Sequence, residues 1–282
     1  MPDVYVTITE AEPAVVEGLV DILELRAADP QQREMREAYF ADIGFPAAAR
    51  VAEVGCGPGP VARALASQPG VGTVVGVDPS PIFIAKAREL ARDFSNLGFV
   101  EGDARALPLE DGSFDVVVFH TTLCHVPDPE LALAEASRVL VAGGLLAVFD
   151  GDYATTTCAC GAFDPLQTCA EACVDSLVYD RWLIRRLPKL VHGAGFELGR
   201  FRSHSYVEAP SSDGYMFAIV DRGADALLAG GRITLEVSNA LKAEARRRSD
   251  AGEFFGHIAY ASLIAQKSGV GSITSAGPAL DI

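Results

Sequence analysis

Three glycines at alternate positions, Gly55, Gly57 and Gly59, close the apolar run 51–54 and lead straight into Pro60, giving VAEVGCGPGP. A glycine turn between a strand and a helix lets backbone approach a ligand and points N–H groups at it. By itself such a loop is a weak signal. The spacing here is G-x-G-x-G, and the third small residue of a dinucleotide loop would fall where Pro60 stands, which disfavours a nicotinamide dinucleotide. Glu53, two residues before the first glycine, is awkward beside a pyrophosphate but suits a cationic or hydroxyl-bearing ligand. Asp78 ends VVGVD and Asp103 ends FVEGD. Carboxylates at strand ends of an open α/β sheet face the ligand crevice and can accept ribose hydroxyls. Either aspartate alone reads as a turn former; on successive strand ends they point to one ligand.

These residues need a scaffold, and the periodicity supplies one. From Arg50 short apolar runs alternate with helical stretches: VAEV, helix 60–68, VVGVD, helix 81–93, GFVEGD, FDVVVFH, helix 129–140 and GLLAVFD. Runs that are apolar at every position belong to strands buried on both faces, hence to a parallel sheet wrapped by helices. Ser80-Pro81 and Asp128-Pro129 fit helix starts, and Gly143 and Gly144 fit a left-handed stop. Helical spacing also marks 13–28 and 30–42 before the sheet. After Phe149 the pattern lapses in DGDYATTTCACGAFD, then resumes with helices near 165–178 and 180–193, a strand at 196–207, helical 213–249 broken at Gly230 and Gly231, and a last strand HIAYASLIAQK. The tail from Ser268 is expected to fray.

Composition narrows the partners. Among 282 residues, 38 acidic against 23 basic side chains give a net charge of −15, so nucleic acid and anionic membrane surfaces are not expected. The opening MPDVYVTITEAEP lacks the basic and apolar regions of a leader, and no apolar stretch approaches a bilayer span. The six cysteines are therefore expected to stay reduced in the cytoplasm.

In series, VAEVGCGPGP, VVGVDPS, EGDARALPLEDGSFDVVVFHTTLCHV and ASRVLVAGGLLAVFD make residues 51–150 resemble the core of class I S-adenosylmethionine-dependent methyltransferases, of the small-molecule kind related to ubiquinone and menaquinone methyltransferases. The resemblance implies an α/β, Rossmann-like fold: a seven-stranded mostly parallel sheet with its last strand antiparallel, helices on both faces and a helical lid. It implies S-adenosylmethionine as cofactor. Glu53, Gly55, Gly57 and Gly59 would surround its methionine part, Asp78 with Pro79 its ribose, and Asp103 with Ala104 its adenine. His120 and Thr121 would face the sulfonium. The expected division is a helical cap at 1–45, a core at 46–210 and 254–267, a helical lid at 211–253 and a tail at 268–282.

Methyl transfer to a hydroxyl calls for a base, and histidine is the usual choice. His125, in TTLCHVPD after the fourth strand, lies where the chain passes the reacting centre in this fold, although loop fixing is an equal reading. Asp150 and Tyr153 follow the fifth strand and are candidate substrate contacts; His204 and His257 could reach the same side, whereas His192 reads as structural. Cys158, Cys160, Cys169 and Cys173 fit no standard zinc spacing, so no metal is expected. The expected activity is methylation of a small, partly apolar acceptor, with oxygen ahead of nitrogen or carbon, by a monomer or homodimer. The alternatives are an NAD-dependent dehydrogenase, or a methyltransferase-fold cyclase or scaffold that binds the cofactor without transferring methyl.

Overall fold

The computed structural model describes residues 3–208 and 214–268. Two helices, α1 (Pro13–Ala28) and α2 (Pro30–Ile43), precede β1 (Ala49–Val54), α3 (Pro60–Ala66), β2 (Val71–Asp78), α4 (Pro81–Leu90), β3 (Leu97–Glu101) and β4 (Phe114–His120). A 3-10 turn (Leu123–His125) leads to α5 (Pro129–Val139) and β5 (Leu140–Thr157). The chain then forms α6 (Pro165–Leu177), α7 (Leu183–Gly193), β6 (Phe196–Val207), α8 (Tyr215–Ala229), α9 (Leu235–Asp250) and β7 (His257–Lys267).

The strands make one seven-stranded sheet in the order β3-β2-β1-β4-β5-β7-β6. β1 to β5 run parallel, and β7 is antiparallel to both β5 and β6. This is the α/β, Rossmann-like sheet expected from the sequence. Its centre follows from composition: Val51, Ala52 and Val54 of β1 and Val116 to Phe119 of β4 are all buried, as strands covered on both faces must be. Tyr39 and Phe40 of α2, Leu65 of α3 and Val220 of α8 cover one face. Leu133 of α5 and Leu187 and Val191 of α7 cover the other. α1 is held by Val16, Leu19 and Val20 packing with Phe83 of α4.

Side-chain caps start α2, α4, α6 and α9, whereas α1, α3, α5, α7 and α8 have none. Ser80 Oγ accepts from the Phe83 amide at 3.3 Å, and Asp29 caps α2 by accepting from Gln31 and Gln32 at 2.8 and 3.0 Å. Asp128 does not cap α5 with its side chain; it sits at φ +55°. The following Pro129 excludes it from the right-handed helical region, and aspartate tolerates the left-handed one. The stretch after Phe149, where the sequence pattern lapses, is the continuation of β5, with Asp150, Gly151 and Asp152 paired to Ala261, Tyr260 and Ala259 of β7. Its β-branched threonines, Thr155 to Thr157, are the signal for extended backbone. The expected tail lies outside the described residues except for Ser268.

Candidate active site

A cavity of about 340 Å³ opens beyond the carboxyl ends of β1, β2 and β4. Its walls come from the glycine loop, from Tyr5 and Ile8 near the N-terminus, from Leu23 and Arg26 of α1, and from Tyr215 and Arg222 of α8. Both segments expected to cover the crevice therefore contribute to its lining. Gly55, Gly57, Asp78, Pro79, Asp103, Ala104, His120, Thr121, His125 and Tyr153 all reach it, as does Glu53.

The glycines are required by conformation and by space. Gly55 lies at φ +74°, and a Cβ there would stand 2.2 Å from Thr122 Cγ2. Gly59 lies at φ +83°, and a Cβ there would meet the Phe99 ring at 2.9 Å. Gly59 lines no part of the cavity wall; it turns the chain into α3. The loop's N–H groups differ from the expectation that they face a ligand. Gly55 and Cys56 both donate to Val77 O, at 2.7 and 3.0 Å, and Gly59 donates to Cys56 O at 2.9 Å. Gly57 donates to Asp78 Oδ2 at 2.8 Å. With Pro58 and Pro60 supplying no donor, the loop has no ring of free amides for a pyrophosphate.

What the loop presents instead is buried carboxylate. Glu53 is 2% exposed, and its Oε2 has no hydrogen-bond partner. Burial, then the nearby Asp78 carboxylate, hold Glu53 well above the usual carboxylate range, with Arg36 and Arg63 opposing. Asp78 accepts from the Gly57 and Ser80 amides at 2.8 and 2.9 Å, yet burial pushes its pKa up to about 6. Two buried acids with an unfilled acceptor fit a ligand that brings positive charge and hydroxyl donors. The residues present thus fit the ammonium and ribose of S-adenosylmethionine, and they repel a diphosphate. Asp103 at the next strand end is claimed by Arg105, whose Nε and Nη2 donate at 3.0 and 2.6 Å, and that pairing holds its carboxyl below the ordinary range. Ala104 is buried beside it.

At the end of β4, His120 Nδ1 lies 2.9 Å from the Tyr39 hydroxyl, and its ring stacks on Phe149 at 4.7 Å. Burial, followed by repulsion from Arg26 and Arg36, holds its pKa well below the histidine range, so it is a neutral wall. Thr121 adopts φ +50°, and its amide donates to Phe149 O at 2.6 Å; this bend turns the chain into the cavity. His125 Nδ1 sits 2.7 Å from Asp3 Oδ2, and its ring lies 4.5 Å from that of Tyr5. The Tyr5 and Tyr179 amides also donate to Asp3, at 2.9 and 2.8 Å.

Three candidates stand elsewhere. Asp150 is fully buried and is not among the cavity-lining residues; it accepts from the Cys124 amide at 3.2 Å and from the Gly151 amide at 2.8 Å. The sequence pattern makes it a strand-end substrate contact, but β5 continues to Thr157, which leaves Asp150 inside a strand where it anchors the turn bearing His125. His204 bonds Ser262 Oγ at 2.8 Å and His257 bonds Ser205 Oγ at 3.1 Å, both away from the cavity walls. Tyr153 is buried with its pKa raised by desolvation, so it offers a neutral phenol. Cys158, Cys169 and Cys173 are buried and Cys160 is exposed. Burial pushes the Cys169 and Cys173 thiols up to about 11 and about 12, leaving them protonated small core residues. Sequence reasoning misses Asp3, Tyr5, Arg26, Tyr215 and Arg222, since none lies near a motif.

The fold and this site resemble those of class I, S-adenosylmethionine-dependent methyltransferases, and residues 52–148 match the family model described as a methyltransferase domain. Among curated proteins, the chain is 34% identical over 190 residues to an uncharacterised 37.1 kDa protein in transposon TN4556 of Streptomyces fradiae, covering 66% of this chain and 53% of that protein. It is 34% identical over 126 residues to the demethylmenaquinone methyltransferase of Staphylococcus aureus, covering 44% of this chain and 52% of that enzyme. The chain thus spans about half the length of these relatives. Among solved structures, protein BH2331 of Bacillus halodurans C-125 superposes with a TM-score of 0.60 at 22% identity, covering 83% of this chain and 98% of that one. The [4+2]-cyclase SpnF superposes with a TM-score of 0.53 at 22% identity, covering 84% and 82%. These two likenesses establish the fold. Among the described residues, no helix is long and apolar enough to cross a membrane.

Proposed function

We propose that this chain transfers the methyl group of S-adenosylmethionine to an oxygen of a small, partly apolar acceptor in the cytoplasm. The observation that carries the reading is the buried carboxylate pair, Glu53 with an unpartnered oxygen and Asp78 with its raised pKa, set against a glycine loop whose own amides are already bonded. In this reading Glu53 receives the cofactor's ammonium, Asp78 its ribose hydroxyls, Pro79 flanks the ribose, and Asp103 with Ala104 borders the adenine. When bound, the cofactor supplies an electrophilic methyl on a sulfonium sulfur. The chain's part is to hold the acceptor close and dry, and such positioning lowers barriers by about 7–11 kcal/mol in favourable cases. The helices α1, α2, α8 and α9 act as the covers that exclude water, supported by the cavity contacts of Arg26, Tyr215 and Arg222; residues 211–213 of the expected lid lie outside the described residues.

His125 is the proposed base. Asp3 accepts from its Nδ1, which fixes the tautomer and leaves Nε2 to take the acceptor hydroxyl's proton as the carbon–oxygen bond forms. Replacing His125 by glutamine is expected to lower kcat by about 10²–10⁴ while cofactor affinity stays unchanged; steady-state kinetics over pH beside a cofactor titration read both. An unaltered kcat returns His125 to loop fixing. Asp3→Asn is expected to reproduce part of the loss and shift the pH profile.

The raised Asp78 gives a pH signature. Its folded pKa of about 6 exceeds the ordinary 3.8, so the ligand-free fold binds the extra proton and loses that contribution as pH climbs through this window. A ligand bringing hydroxyl donors and positive charge favours the ionised form. The rise in melting temperature on adding S-adenosylmethionine is therefore expected to be larger at pH 7.5 than at pH 5. An equal rise at both values removes Asp78 from the binding site. Accumulation of S-adenosylhomocysteine across a panel of phenols, alcohols and amines tests the transfer itself; tight cofactor binding with no such product across the panel favours the cyclase or scaffold alternative.

A further inference from the structure

Arg26 of α1 lines the cavity, and no side chain among the described residues pairs with it to neutralise it. Its Nη2 is buried without a hydrogen-bond partner, and its guanidinium makes no ion pair among the described residues. The contacts it has are ring faces, Tyr215 at 5.8 Å and Tyr260 at 5.9 Å from the guanidinium carbon. Ring faces attract the cation but leave Nη2 without a hydrogen-bond acceptor. The surrounding tyrosines bring no counter-charge: burial pushes Tyr5 up to about 12 and holds Tyr153 and Tyr260 well above the phenol range. Of the other arginines lining the cavity, Arg105 pairs with Asp103 at 2.6 Å, Arg36 donates to Ala27 O at 3.1 Å, and Arg222 makes no ion pair among the described residues. In a chain of net charge −15, a cation with a buried, unserved donor marks a place for an anionic ligand.

Its place says which ligand. Glu53, Asp78 and Asp103 stand at the ends of β1, β2 and β3, whereas Arg26 sits among Tyr153 of β5, Tyr260 of β7 and Tyr215 of α8, across His120 at the end of β4. That is the side away from the cofactor carboxylates. Arg222 of α8 also lines this end and adds positive potential at Tyr5. The walls around it, Tyr5, Tyr153, Leu177 and Ile219, are aromatic or apolar.

We infer that the acceptor carries a carboxylate on an aromatic or flat apolar body, that Arg26 receives this carboxylate, and that the pairing sets which molecules enter. The inference rests on the methyl-transfer reading and deepens it. The planar fork of the Arg26 guanidinium matches a carboxylate.

The test titrates benzoate and its neutral isostere benzamide into wild-type protein and Arg26→Gln, each saturated with S-adenosylhomocysteine. Benzoate is expected to bind the wild type at least about tenfold more tightly than benzamide, and Arg26→Gln to erase that difference while S-adenosylhomocysteine affinity changes less than twofold. Equal affinity for the two probes, or a preference for phenyl phosphate, overturns the proposal with the methyl-transfer reading intact. A matching loss of S-adenosylhomocysteine affinity assigns Arg26 to the cofactor and also overturns it. Failure of the wild type to bind S-adenosylhomocysteine overturns the underlying reading first. Independently of any ligand, Arg26→Met is expected to raise the melting temperature of the free protein, because it removes a partly buried charge that has no ion-pair partner among the described residues. A lowered melting temperature makes Arg26 a structural residue and contradicts the inference.

Discussion

Replacing Asp78 by alanine is expected to weaken S-adenosylmethionine binding by about 1.5–3 kcal/mol, the range for hydrogen bonds to a charged group, or roughly 10- to 150-fold in Kd. The carboxylate closes β2 and is 6% exposed. It accepts from the Gly57 amide at 2.8 Å and the Ser80 amide at 2.9 Å, so it both shapes the glycine loop and presents its remaining lone pairs to the cavity. Alanine removes the ribose acceptor and leaves two buried amides without a partner. Asp78→Asn retains one side-chain oxygen as an acceptor and loses the charge, so it separates the two roles. If loop shape alone matters, Asp78→Asn binds more like the wild type; if the charge matters, it binds like Asp78→Ala. Isothermal titration at pH 7.5, with circular dichroism to confirm the fold, reads both variants. Unchanged affinity in Asp78→Ala refutes the ribose assignment.

Gly223→Ala is expected to destabilise the protein by about 3 kcal/mol or more, at the upper end of overpacking effects. Gly223 lies within α8 where it crosses α6, and a Cβ there would fall 1.8 Å from the Cys169 carbonyl oxygen. The clash is with backbone, so no side chain can rotate away. The two helices must separate, and α8 carries Tyr215 and Arg222 into the cavity, so acceptor binding is expected to fall with stability. Gly18 in α1 is the control: nothing lies within 4 Å of the Cβ it would gain. There alanine is expected to stabilise by up to about 1 kcal/mol through helix propensity. Urea denaturation of both variants decides the matter. A Gly223→Ala midpoint equal to the wild type shows that the α6–α8 contact is looser than described.

The sheet is legible in the sequence because its information is local. Near-continuous apolar runs, such as VVVF at 116–119, and proline or serine at helix starts each report on their own few residues, and the observed elements follow them closely. The cavity-lining carboxylates are legible for the same reason, since Glu53 and Asp78 sit at fixed offsets from strand ends. Asp150 shows where that rule fails. The strand-end argument places it at the crevice, but pairing with β7 extends β5 beyond it, and pairing partners distant in sequence leave little local trace. The loop amides show the same limit: their acceptors, Val77 O and Asp78 Oδ2, come from the neighbouring strand. Asp3 meets His125 across 122 positions, and Arg26 meets tyrosines from four separate segments. No motif announces either meeting, because tertiary packing alone creates it.

The most direct test of the account is calorimetric titration of the intact chain with S-adenosylmethionine and, separately, with NAD. The buried acids at the glycine loop predict saturable heat with the sulfonium nucleoside, weakened in Asp78→Ala, and none with the dinucleotide. Saturable binding of NAD with no response to S-adenosylmethionine would contradict the account at its root.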